Sequence, residues 1–167
     1  MQISSGFCRI TSVFVTLFIV TACSSASDPV AEQNLQKGKA FLEQNKSKQG
    51  VVTLPSGLQY MVLKKGDGPQ PRVIDSVMVH YRAMHVDGTE FNNSYTRGKP
   101  VTIAVKAMIP GWKQAVRLMS EGDKWRLFIP QFLAYTNRGE GEVEPNETLI
   151  YEIELLKVNW MGRLPKG

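Results

Sequence analysis

From Gly50 onward apolar and polar residues alternate in short runs closed by Gly, Pro or Asp, a texture that predicts an antiparallel β domain. Leu58, Tyr60 and Val62 alternate before "KKGDGPQP" breaks the chain, and Val77, Val79, Tyr81 and Ala83 line one face of the next strand. Asp87-Gly88 signals a hairpin turn into Thr89-Glu90-Phe91, and Val101 to Val105 reads as another strand. Pro110-Gly111 opens a helix with Trp112, Ala115, Val116 and Met119 on one face and Gly122 as its C-cap. Lys124 to Ile129 and Thr148 to Val158 complete the set, the last with Leu149, Tyr151, Ile153 and Leu155 on one face. Some five strands and one helix joined by short loops imply an α+β fold in which a sheet wraps a single helix.

Ahead of this domain the periodicity changes. Ala31, Leu35, Gly38 and Leu42 recur at helical spacing with Phe41 beside them, so Ala31 to Lys48 reads as an amphipathic helix. Its apolar stripe is thin and Gly38 weakens it, which suits a tether, a docking helix or a weak dimerisation arm, the first two being favoured. Ser24 to Pro29 is small and polar, a short tether. Earlier still, Arg9 precedes an apolar run from Ile10 to Val20, the core of a signal peptide and too short to span a bilayer comfortably. Val20-Thr21-Ala22-Cys23 resembles the bacterial lipoprotein lipobox. That resemblance implies cleavage of residues 1–22 and lipidation of Cys23, and Ser24 after it suggests sorting to the outer membrane. Several acyl chains on Cys23 would hold, since each buried methylene adds about 0.8 kcal/mol.

Composition sharpens this picture mainly by exclusion. The other cysteine, Cys8, lies in the signal, so a processed chain holds no disulfide and depends on packing. The net charge of +5 becomes +4 without Arg9, and the basic residues are scattered rather than interleaved with aromatics, which argues against a nucleic-acid partner. His80 and His85 fall on opposite faces of a strand end with no second ligand pair, so no metal site is expected. The Gly66-x-Gly68 stretch lacks the Lys-Ser/Thr of a phosphate loop, and no nucleophile elbow is present; no cofactor is expected.

What remains is aromatic. "VMVHYRAMHVDGTEFNNSYTRGKP", "MIPGWKQAVRLMSEGDKWRLFIP", "LAY" and "PNETLIYEIELLKV" together resemble the FKBP family of peptidyl-prolyl isomerases over about Leu54 to Val158. "TLPSGLQY" and the lipoprotein leader are similar to the membrane-associated Mip-type branch of bacterial FKBPs. The resemblance implies an antiparallel half-barrel of five to six strands wrapped on a short helix, with a pocket between them. It further implies Trp112 as the pocket floor and Tyr81, Phe91, Val101, Met108, Ile109 and Tyr151 as walls. Tyr135 is implied as a hydroxyl that holds a substrate carbonyl, with the backbone N–H of Ile109 as a second donor.

Two departures from the family pattern stand out. In "GTEFNNSYTRGKP" the family's F-D-x-S reads Phe91-Asn92-Asn93-Ser94, so a pocket-edge aspartate expected beside Tyr81 and Arg97 is Asn92. This change predicts a less organised rim. Thr136 stands where the family has glycine after the tyrosine, and the segment Asn137 to Pro145 is acidic, with Val143 its one apolar residue expected to reach the pocket. The reading is therefore four segments: signal 1–22, lipidated tether and helix 23–53, isomerase domain 54–158, and basic tail 159–167. The expected function is a prolyl isomerase that is a monomer or weak dimer, anchored to the outer membrane through Cys23. It would face the periplasm and act on proline-containing unfolded envelope proteins. The alternative is a peptide-binding chaperone module with weak or no isomerase activity because of Asn92.

Overall fold

In the computed structural model, which describes residues 28–162, the chain opens with helix α1 (Pro29–Asn45). Strands β1 (Val51–Thr53), β2 (Gln59–Lys64), β3 (Ser76–Met84), β4 (Glu90–Asn93) and β5 (Val101–Ala104) follow, then helix α2 (Pro110–Val116), β6 (Lys124–Ile129) and β7 (Leu149–Asn159). The strands form one antiparallel sheet in the order β1-β2-β6-β7-β3-β4, with β5 also paired to β3. Seven strands replace the five or six expected for two reasons. β5 pairs Ser76 to Val79 while β4 pairs Arg82 to Met84, so two short strands share one edge of β3. In addition β1 folds back on β2 from Val51, ahead of the Leu54 start read from the sequence.

Alternation explains which residues enter the core. Val77, Val79 and Ala83 of β3, Leu127 and Ile129 of β6, and Ile153 and Leu155 of β7 are fully buried with Ala115 and Val116 of α2. Each large side chain so buried contributes about 1.5–3 kcal/mol. Gly111 permits the close approach of α2, because a Cβ there would stand 2.5 Å from Ile129 Cγ2. α2 stops at Val116 rather than reaching Gly122. The turn before β6 is organised instead by buried Asp123, whose carboxylate accepts from the Ser120 and Gly66 N–H groups at 2.6 Å each.

α1 ends at Asn45, short of Lys48, and it docks. Asp28 caps its first turn, accepting from Val30 N–H at 2.9 Å, with Pro29 preset for the helix. Leu127 and Ile129 face the core, so the intervening Phe128 and its cross-strand partner Gln59 face the other side, where α1 lies. Phe41 packs on Phe128 at 5.9 Å between ring centroids. Buried Asn45 donates to Gln59 Oε1 at 2.9 Å, and Gln59 donates to Leu42 C=O at 2.9 Å. Gly38 is a point of contact rather than a weak point, since a Cβ there would meet Thr148 Oγ1 at 2.2 Å.

The end of β7 is also tied down. The Asp75 carboxylate, fully buried, accepts from the Arg72 guanidinium at 2.8 and 3.0 Å and from Met161 N–H at 2.9 Å, and Arg72 lies over the Trp160 ring. Asn159, counted with the basic tail 159–167 in the sequence reading, belongs to β7. The signal, Cys23 and the tether as far as residue 27 lie outside the described residues, while Asp28 and Pro29, read as the end of the tether, begin α1. Among the described residues no helix is long and apolar enough to cross a membrane.

Candidate functional site

The site begins with an irregularity in the β3–β4 pairing. Ala83 pairs with Asn92 and Met84 with Glu90, leaving Phe91 as the extra residue of a β-bulge. Such a bulge re-aims a side chain, and Phe91 lines a cavity of about 530 Å³ between α2 and the sheet. Ser94, fully buried just after β4, accepts from Tyr81 N–H at 2.8 Å and donates to Tyr81 C=O at 3.2 Å, locking the strand segment that carries Tyr81.

Aromatic rings from four elements meet there. Trp112 on α2 stands edge-on to Tyr81 of β3 at 5.3 Å and to Tyr151 of β7 at 5.2 Å, and Phe91 stands edge-on to Tyr151 at 6.3 Å. These are favourable edge-to-face separations. Burial, reinforced by the neighbouring Tyr135 hydroxyl, pushes the Tyr151 phenol well above its ordinary pKa, so it stays protonated at physiological pH. The Trp112 indole N–H is buried without a hydrogen-bond partner among the described residues.

Of the residues proposed from sequence, Tyr81, Phe91, Asn92, Met108, Ile109, Trp112, Tyr135, Val143 and Tyr151 all line this cavity. The Ile109 N–H makes no hydrogen bond among the described residues. Val101 is a correction. It starts an edge strand at the end of the exposed stretch 95–100, and Ile103, two positions on and facing the same side, packs on the core and lines the cavity in its place. Arg97 sits above the rim rather than in the lining. It donates to Asn92 Oδ1 and, at 3.0 Å, to the Tyr81 hydroxyl, and it also lies over the Tyr81 ring. The less organised rim expected from Asn92 is therefore not seen, because an amide oxygen accepts from a guanidinium as a carboxylate oxygen does.

Sequence reasoning missed Ile103, Ala107, Glu140, Gly141 and Glu142. Strict alternation from Val101 would have reached Ile103. The two glutamates belong to a tight loop in which Glu140 and Val143 exchange backbone hydrogen bonds at 2.9 Å, turning Val143 inward. The loop is braced from two sides. Asn34 of α1 donates to Glu144 Oε2 at 2.9 Å and to Pro145 C=O at 3.2 Å, and His85 contacts Glu147 Oε1 at 2.5 Å. Thr136 opens the loop with φ 57°, the left-handed conformation that glycine adopts without strain. His80 contacts Ser94 Oγ and stacks on Tyr95, away from His85.

Comparison with known proteins agrees with this architecture. The model for FKBP-type peptidyl-prolyl cis-trans isomerase matches residues 68–156, and that for the domain amino terminal to FKBP-type peptidyl-prolyl isomerase matches residues 14–62. The chain is 48% identical over 129 residues to the outer membrane protein MIP of Legionella longbeachae, covering 77% of this chain and 55% of that protein. It is 44% identical over 137 residues to the FKBP-type 22 kDa peptidyl-prolyl cis-trans isomerase of Escherichia coli, covering 79% and 66%. The chain thus spans about half to two thirds of the length of the curated relatives it matches. Among solved structures, FkpA from Escherichia coli superposes with a TM-score of 0.76 at 40% identity, covering 78% of this chain and 61% of that one. A peptidyl-prolyl cis-trans isomerase from Pseudomonas syringae pv. tomato gives 0.73 at 34% identity, covering 80% and 99%.

Proposed function

Because the chain belongs to the family of FKBP-type peptidyl-prolyl cis-trans isomerases, we propose that its aromatic cavity catalyses rotation about X-Pro bonds in unfolded or partly folded envelope proteins. The observation that carries this reading is the meeting of Tyr81, Phe91, Trp112 and Tyr151 in one cavity. An X-Pro bond turns slowly because resonance gives C–N double-bond character, with a barrier of about 18–20 kcal/mol. The planar form is polarised, with negative charge on the carbonyl oxygen, and water stabilises it. An apolar box does so less, whereas the twisted form, which has lost that resonance, suffers little from the transfer. The box must also fit the twisted form better than the planar one, since uniform binding accelerates nothing. A thousandfold acceleration needs about 4 kcal/mol of such difference.

Within the cavity, Trp112 is the floor on which the proline ring rests. The Tyr135 hydroxyl and the Ile109 N–H serve as donors to substrate carbonyls, which fixes the chain on either side of the rotating bond. No proton moves and no covalent intermediate forms. The alternative of a binding-only module rests on Asn92 and the altered loop after Tyr135; the hydrogen bonds of Arg97 to Asn92 and Tyr81 weigh against a less organised rim and support the enzyme reading.

We further propose attachment to the outer membrane by acylated Cys23, with the domain facing the periplasm. The lipobox and the similarity to a protein named for the outer membrane support this. The inner side of α1 is occupied by the sheet, which supports a monomeric working unit over a dimer arm. The test of activity is cis/trans exchange in a short X-Pro peptide followed by NMR with the processed chain. Native protein should accelerate exchange, and Trp112→Phe should lower kcat/KM about tenfold, a loss of about 1.4 kcal/mol. A natively folded protein that binds unfolded chains yet leaves exchange at its spontaneous rate would sink the enzyme reading.

A further inference from the structure

The mouth of the aromatic cavity is electrically lopsided. On one side Arg97 is engaged by Asn92 and Tyr81. On the other, exposed Glu140 and Glu142 line the cavity with no hydrogen-bond or ion-pair partner for either carboxylate among the described residues. Their neighbours in the loop differ, because Glu144 is held by Asn34 and Glu147 by His85. Arg138, two positions before Glu140, is exposed and does not line the cavity. Glu142 also borders a second cleft of about 430 Å³, shared with Asn34, Lys37, His85 and Asp87, in which Lys37 forms no ion pair with Glu142.

We propose that Glu140 and Glu142 are specificity-determining residues that favour clients carrying a lysine or arginine beside the proline. The proposal rests on the isomerase reading of the same cavity and names the substrate class within it. A proline seated on Trp112 places its flanking residues at the lip, where two unneutralised carboxylates stand on a loop braced by Asn34 and His85. A basic side chain there gains two partners and displaces none. An acidic one meets like charge.

The test uses the processed chain and three peptide sets with Lys, Gln or Glu next to proline, placed before it in one version and after it in another. For at least one placement, kcat/KM for the Lys peptide should exceed that for the Glu peptide about fivefold to tenfold at low salt, as two exposed charge pairs allow. The ratio should fall towards one at about 1 M salt, where charges are screened within about 3 Å. The Glu140→Gln/Glu142→Gln double variant should show a ratio near one already at low salt. A native ratio within about twofold of one for both placements, or the same ratio in the double variant, overturns the proposal. If no peptide is isomerised, the isomerase reading falls by itself. Fluorescence anisotropy with the same labelled peptides then decides the lip separately: Lys above Gln above Glu in affinity sustains it, and equal affinities sink it.

Discussion

Replacing Asn92 with aspartate restores the pocket-edge carboxylate of the family pattern, and the structure sets how much this can matter. Asn92 and Arg97 are both exposed, and Arg97 already donates to Asn92 Oδ1 while its other amino group reaches the Tyr81 hydroxyl at 3.0 Å. The substitution therefore adds charge to an existing hydrogen bond rather than creating a contact. Two unit charges 4 Å apart attract by about 1 kcal/mol in water. Exposed pairs measured by double-mutant cycles contribute about 0.2–1 kcal/mol. Even if all of that were expressed only in the transition state, kcat/KM would rise by at most about fivefold. X-Pro exchange kinetics on Asn92→Asp at low and at high salt, with urea unfolding alongside, should show a rise below that ceiling that shrinks with salt. The unfolding midpoint should barely move. A gain of more than about tenfold, or one that ignores salt, would refute the reasoning. It would mean that the carboxylate acts on the reacting amide itself and not through Arg97.

Two further predictions concern the frame around the pocket. Gly38→Leu places a side chain where even a Cβ lies 2.2 Å from Thr148 Oγ1, so α1 must lift. A stability loss of about 1–3 kcal/mol is expected from overpacking, with increased hydrogen exchange across α1 and in the 139–147 loop that Asn34 braces; unchanged exchange in that loop would contradict the bracing. Acid should weaken the fold through Asp75, whose pKa is held far below the ordinary carboxylate range chiefly by its hydrogen bonds from the Arg72 side chain, against the opposing effect of burial. A depressed folded pKa contributes stability that is complete above the unfolded value of about 3.9 and is lost as pH falls below it. Urea midpoints should drop from about pH 4 downward, and Asp75→Asn should be less stable at neutral pH with a flatter acid limb.

Much of this arrangement was readable wherever the signal is local. Val77, Val79 and Ala83 mark an inward face by alternation alone, and Trp112, Ala115 and Val116 mark one by helical spacing. The aromatic walls came from motif resemblance, because nothing in their spacing says that Tyr81, Trp112 and Tyr151 meet. What stayed hidden depends on partners distant in sequence. Asn34, Gly38 and Asn45 are the buried residues of α1 although none is a strong hydrophobe, since the helix docks through hydrogen bonds and one close approach beside the half-buried Phe41. The bulge at Phe91 is a mismatch between two strands and is invisible in either one. Ile103 was missed in favour of Val101 because the resemblance fixed a position that the edge of this sheet does not keep.

The docking of α1 also bears on the order in which the molecule can assemble. Its contacts with Glu144 and Pro145 join residues 110 and 111 positions apart. An isolated helix of 17 residues interrupted by Gly38 is marginal in water, so until the 144–148 segment is in place α1 can rest only on Gln59 and Phe128. Contacts of such sequence separation close late and slow folding. A domain proposed to help others past slow steps would thus have a slow step of its own, in which α1 completes its docking only when the segment leading into β7 arrives.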